Sequence, residues 1–106
     1  MLYLKTTQKL EELEAELKRR SLWSPQAPSV EAMADTSPFS CESMAFENWV
    51  QFIFLPKMRA LIADRQVLPS NIAVAPMAHH VWNDIKERHT LINIFDELDK
   101  LLSEAR

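Results

Sequence analysis

The sequence contains no glycine. Glycine supplies positive φ and lets backbone approach a phosphate closely, so its absence excludes a whole set of sites. No Walker loop, no G-x-G-x-x-G dinucleotide turn, no G-x-S-x-G nucleophile elbow and no GXXG RNA clamp can be built from this chain. Cysteine occurs once, at Cys41, which rules out an intrachain disulfide and a cysteine-rich zinc site. A lone thiol fits a reducing compartment. Cations are the minority, 12 Lys and Arg against 15 Asp and Glu, for a formal charge of −3. That sign disfavours direct binding to nucleic acid, which needs cations against phosphates. Long apolar runs are missing too. The longest lies near Phe52-Ile53-Phe54-Leu55, far short of a bilayer span. The opening Met1-Leu2-Tyr3-Leu4-Lys5 lacks the extended apolar stretch of a signal peptide. The expectation is a cytoplasmic protein with no membrane partner.

What remains is ordinary globular material. The 106 residues are 47% apolar and 25% charged, enough to bury one core and too apolar for wholesale disorder. No stretch alternates with period two between turn signals, so the expected class is all-α. The chain reads as a single domain, residues 1–106, with a helical bundle of about four helices.

The first helix is expected from about Thr6 to Arg20. Leu10, Leu13 and Leu17 make a narrow stripe on it. Glu14 with Lys18 and Glu16 with Arg20 fall at i,i+4, and Lys18-Arg19-Arg20 suits a helix C-terminus. Its stripe can meet the last helix within one chain or across two.

A long connection follows, about residues 21–42, where Pro25, Pro28 and Pro38 forbid continuous helix. Trp23 and Phe39 are anchors that would order it, and Ser29 can cap a short turn holding Val30 and Met33.

The middle segment keeps one helical phase through Phe46, Trp49, Val50, Ile53, Phe54, Met58, Leu61 and Ile62. Pro56 interrupts it without shifting the phase, so one helix kinked at Pro56 is expected. The proline removes a hydrogen bond to the Phe52 carbonyl. Leu68-Pro69-Ser70-Asn71 is a turn, and Pro76 suits the first turn of a third helix carrying Met77, His80, Val81 and Trp82. Its end is weakest at Asn83-Asp84. The last helix carries Leu91, Ile94, Phe95, Leu98, Leu101 and Leu102 on one broad face, with Asp84–Arg88 and Asp96–Lys100 as i,i+4 pairs. The expected core is Leu10, Leu13, Leu17, Trp49, Val50, Ile53, Leu61, Ile72, Val81, Leu91, Phe95 and Leu98.

Chemistry is sparse. His79, His80 and His89 are the only histidines. Adjacent His79 and His80 diverge by about 100° on a helix, and H-E-x-x-H is absent, so no metal site is expected. Cys41 reads as a small buried filler or a bystander thiol. Lys57 and Arg59 flank Met58 after Pro56 and either grip an acidic partner or rim the core. Trp49 falls on the core stripe, whereas Trp23 and Trp82 lie at segment edges and suit a pocket or interface. No catalytic motif is present and no cofactor is expected.

One resemblance stands out. Ser37-Pro38-Phe39, Met44, Trp49-Val50-Gln51-Phe52, Leu55-Pro56-Lys57-Met58, Leu68-Pro69 and Ala73-Val74-Ala75-Pro76 stand in an order and spacing that resembles the YqcC-like family of small bacterial helical proteins. The resemblance is carried by about residues 37–78. It implies an all-α bundle with proline-marked turns and an association with tRNA pseudouridine synthase C. Pseudouridine synthases use an aspartate in a Gly-Arg-Leu-Asp-type motif on a mixed α/β fold. This glycine-free chain has no such motif, so no catalytic role carries over.

The sequence therefore leads to a non-catalytic protein-interaction module, accessory to tRNA pseudouridine modification. The expected partner is another protein, a tRNA pseudouridine synthase or a second copy of the chain. The expected surface is built by Trp23, Phe39, Pro56, Lys57, Pro69 and Pro76. The alternative is a small-ligand domain with a pocket at the proline-rich elbows.

Overall fold

The computed structural model describes residues 2–104 and is all-helical, with no strand among the described residues. The elements are α1 (Leu2–Arg19), a single turn α2 (Val30–Met33), α3 (residues 46–63), α4 (Ala75–Trp82) and α5 (His89–Glu104). Short 3-10 turns, Pro38–Ser40 and Lys86–Arg88, precede α3 and α5. Helices α4 and α5 separate at residues 83–85, at the weak point the sequence marks.

Helix α1 lies along α5 and against α3 within the one chain. Leu10, Leu13 and Leu17 are buried with Leu91, Phe95, Leu98 and Leu102 of α5 in one cluster. Burial of each such side chain is worth about 2 kcal/mol, and this cluster is what holds the bundle. The Tyr3 hydroxyl donates to the Gln66 carbonyl at 2.6 Å and ties the start of α1 to the end of α3. The Glu14–Lys18 and Glu16–Arg20 pairs form at 2.7 and 2.9 Å. Glu16 is buried rather than wet, its side chain 3% exposed between Arg19 and Arg20. Two other expected pairs are replaced by tertiary ones. Arg88 reaches Glu47, and Asp96 faces His79.

A chain without glycine must end its helices with other residues. Ser21 (φ 59°) and Arg65 (φ 53°) take the left-handed conformation just past α1 and α3. Leu22 N–H donates to the Leu17 carbonyl and Ser21 N–H to Lys18, and the same pattern joins Gln66 to Leu61 and Arg65 to Ile62. Both are complete Schellman motifs. The side chains add roughly 1 kcal/mol of strain at each, which glycine would avoid.

The irregularity in α3 falls at Pro56 as the sequence expects, and it has a definite form. Residues Phe46–Trp49 and Leu55–Ala63 are α-helical, and Val50–Phe54 between them form a π turn. The Leu55 N–H reaches back five residues to the Val50 carbonyl. The wider turn makes room for a proline ring that would otherwise strike the Phe52 carbonyl. Backbone angles stay helical throughout, so α3 is one helix.

The connection over residues 21–42 is tied down at several points. Ser29 Oγ accepts the Ala32 N–H at 3.1 Å and caps α2. Trp23 is half-buried beneath the Lys18 ammonium, 5.1 Å from the ring centroid. Gln51 of α3 clamps the loop through two hydrogen bonds to the Ser24 backbone.

Two tryptophans exchange their expected places. Trp82 is 1% exposed at the centre of the bundle, in contact with Phe46 and Phe95. Trp49, assigned to the core, is only half-buried, as are Ile53, Leu61, Ile72 and Val81. Cys41 is exposed and fills no gap in the core.

Candidate functional site

The half-buried residues of α3 are not scattered. Trp49, Ile53 and Leu61, with the exposed Lys57 between the last two, follow one another at i,i+4 down one side of the helix. The π turn slows the drift such a row would otherwise show, so it stays on one face. Together with Phe54 and Met58 they floor an open groove of about 380 Å³. Phe39 closes one end, and Pro69, Ile72 and Val74 from the segment before α4 form a wall. Among the described residues Lys57 is the only charged side chain that lines it. Four residues expected in the core, Trp49, Ile53, Leu61 and Ile72, therefore line a groove that the described chain leaves open.

Both rims are held in strained backbone. Phe39 (φ 57°), Ser40 (φ 50°) and Ala73 (φ 48°) all occupy the left-handed region. For a bulky aromatic residue that is a costly conformation, retained only when its surroundings enforce it. Asp35 does so at the Phe39 rim. Its carboxylate accepts the Ser37 N–H at 2.8 Å, and its carbonyl accepts the Ser40 hydroxyl at 3.2 Å. Hydrogen bonds from the Ser37 backbone, and from Ser37 and Ser43 side chains, hold the Asp35 carboxyl below its ordinary range. The Phe39 ring then stands edge-on to Trp49, with centroids 4.8 Å apart, and to Phe46 at 5.8 Å. Through Phe46 and Phe54 this aromatic set runs on into Trp82 and Phe95 of the core. The rigid core thus positions the groove's upper end.

Of the six residues proposed from sequence, the groove brings together Phe39, Lys57 and Pro69. Trp23 packs on α1 instead, and Pro56, inside α3, and Pro76, in the first turn of α4, are exposed and do not line it. Arg59 is committed elsewhere, to Glu14 of α1. Hydrogen bonds from Lys18 and then Arg59 hold the Glu14 carboxyl below its ordinary range. The charges of the shallow cleft between α1 and α3 are therefore largely paired with one another.

The histidines do not converge. His79 Nε2 lies 2.9 and 3.1 Å from the two Asp96 carboxylate oxygens. His89 Nε2 lies 2.9 Å from the Asn83 carbonyl, and His80 is exposed. Among the described residues no group of three or more His, Cys, Asp and Glu side chains is placed to hold a metal ion. No helix among them is long and apolar enough to cross a membrane.

Sequence reasoning missed a capping carboxylate. Asp99 of α5 reaches across to accept the Ala75 N–H at 2.9 Å, capping α4 from another helix. Burial pushes the Asp99 carboxyl up, against the pull of the Ala75 and Val74 amides, and nearby Asp96 adds to the rise. Nothing local to Asp99 signals this role, because its partner lies 24 residues away.

Fold and groove together define a small all-α protein with proline-marked turns and an open apolar trough carrying one cation. The family model described as tRNA pseudouridine synthase C matches residues 5–101, and the chain belongs to that family. It is 32% identical over 96 residues to a Haemophilus influenzae protein described as uncharacterized, covering 91% of each. It is 29% identical over 96 residues to the Escherichia coli protein YqcC, covering 90% of this chain and 88% of that one. The solution NMR structure of YqcC superposes with a TM-score of 0.87 at 26% identity, covering 99% of this chain and 91% of that one. A Pectobacterium carotovorum protein named tRNA pseudouridine synthase C is 39% identical over 81 residues. Those residues are 76% of this chain and only 22% of that protein.

Proposed function

We propose that this chain is a non-catalytic protein-interaction module accessory to tRNA pseudouridine modification, with the groove over α3 as its docking surface. The observation that carries the reading is the half-buried row Trp49–Ile53–Leu61, an apolar helix face that lines an open groove and that the chain covers only in part. Aromatic and aliphatic anchors around a single cation are the make-up of a protein-binding patch. The Pectobacterium match adds a second line of support. There a stretch similar to this chain is a minor part of a longer protein that bears the synthase name, and domains joined in one chain commonly serve one process. Lys57, Phe39 and Pro69, which line the groove, are the part of the sequence-derived surface that this reading uses. Direct binding to tRNA is disfavoured by the net charge of −3.

A second reading has one observation in its favour. The groove volume of about 380 Å³ falls among small-ligand pockets.

The test is a calorimetric titration of the purified chain with purified tRNA pseudouridine synthase C from the same cells, with and without tRNA. A saturable complex supports the accessory role. No heat at about 50 μM of each protein, with or without tRNA, overturns it, since even weak specific pairs bind in that range.

A further inference from the structure

The groove has a shape and a charge that narrow what fits it. From Trp49 to Leu61 its floor follows α3 for roughly 18 Å at the helical rise, about three turns. It is an open trough rather than an enclosed cavity, so a small molecule would leave much of its surface wet. A second helix laid along it would bury an i, i+3/i+4, i+7 row of anchors against Trp49, Ile53 and Leu61.

Charge gives the second constraint. The chain is acidic overall, yet among the described residues no carboxylate lines the groove and Lys57 does. Among the described residues Lys57 makes no ion pair, whereas neighbouring Arg59 is held by Glu14. A second copy docked groove to groove would bring another apolar floor and another lysine, and no carboxylate to meet either.

We infer that the groove receives an amphipathic helix of a partner protein, with apolar anchors about three turns long and an acidic side chain set to meet Lys57. This rests on the groove being a docking surface, and it adds the chemistry of the occupant. Lys57 supplies orientation and selectivity. The apolar row supplies most of the affinity, because an exposed charge pair adds little by itself.

The experiment uses the full chain labelled with 15N and three synthetic 18-residue helical peptides. One carries leucine anchors at i, i+4, i+7 and i+11 with flanking glutamates. The second replaces those glutamates with lysines, and the third scrambles the first. The expected result is that the acidic peptide shifts the amides of Trp49, Ile53, Lys57 and Ile72. It should bind about fivefold tighter than its lysine counterpart, the size of one exposed charge pair. In Lys57→Glu the preference should reverse, and Ile53→Glu should weaken binding about thirtyfold, as loss of a central anchor does. Thermal melts of both variants confirm that they fold.

Absence of shifts at the groove, or an unchanged preference in Lys57→Glu, overturns the inference. So does tight binding of dodecanoate where the acidic peptide fails, or a concentration-dependent dimer abolished by Ile53→Glu. Failure of the synthase titration alone removes the proposed accessory role and leaves the peptide result standing. A synthase complex equally tight with Ile53→Glu keeps the accessory role and removes the groove as the synthase's docking surface.

Discussion

The side-chain amide of Gln51 grips the backbone of Ser24 from both sides. Its Oε1 accepts the Ser24 N–H at 2.8 Å and its Nε2 donates to the Ser24 carbonyl at 2.9 Å. Gln51 is 7% exposed, so both bonds are partly shielded from water. Gln51→Ala leaves a donor and an acceptor of the loop without partners. The expected loss is about 2 kcal/mol in chemical denaturation, with faster amide exchange over residues 22–35 and little change at α5.

Two helix ends use residues with side chains where glycine is favoured. Ser21→Gly and Arg65→Gly keep both Schellman motifs and relieve the left-handed strain. Each should stabilise the protein by about 1 kcal/mol. The sites lie at the ends of different helices, so the double variant should show the sum of the two effects. Urea unfolding of the singles and the double checks both statements.

Asp99 sets a pH dependence of the less common sign. Its carboxyl is raised by burial, so between the ordinary aspartate value and its folded value the folded chain holds the proton more tightly. Its contribution to stability is therefore present at low pH and is lost as pH rises through that window. Asp99→Asn keeps an acceptor for the Ala75 N–H without burying charge. It should match or exceed the wild type at neutral pH, and the advantage should vanish below the carboxylate range. Asp99→Ala, which removes the cap, should destabilise α4 at every pH. Denaturation from pH 3 to pH 8 separates the two variants.

Glu14 and Asp35 have the opposite sign. Both carboxyls are lowered by hydrogen bonds made to the charged form. Their contributions are present above the ordinary carboxylate range and are lost as pH falls through the folded values. Asp35→Ala should therefore loosen the Phe39 turn at neutral pH and have little effect once the wild-type carboxyl is protonated. The Phe39 ring resonances, followed by NMR against pH, report it.

The tryptophans provide a packing contrast. Trp82→Ala removes a ring that is 1% exposed among Phe46 and Phe95 and should cost about 4 kcal/mol. Trp23→Ala, which frees a half-buried ring from Lys18, should cost about 1 kcal/mol, the scale of an exposed cation–π contact with some burial. Thermal melts of both variants rank them directly.

The sequence by itself determined the helical class, the proline punctuation, the Ser29 cap of α2 and the single phase carried through Pro56. Each of these is local. A proline constrains its own φ and the preceding turn, and an apolar stripe appears wherever a helix keeps one side from water. Of the six residues picked from the sequence, Phe39, Lys57 and Pro69 line one groove and the other three do not. The tertiary structure alone decided which apolar faces are covered. Periodicity marks Trp49, Ile53 and Leu61 as avoiding water but says nothing of what lies over them, and in this chain the described residues cover that face only in part. It also decided that Trp82 lies at the centre, that Gln51 holds Ser24 from 27 residues away, and that Asp99 caps α4. Such contacts join side chain to distant backbone, and no spacing along the chain records them.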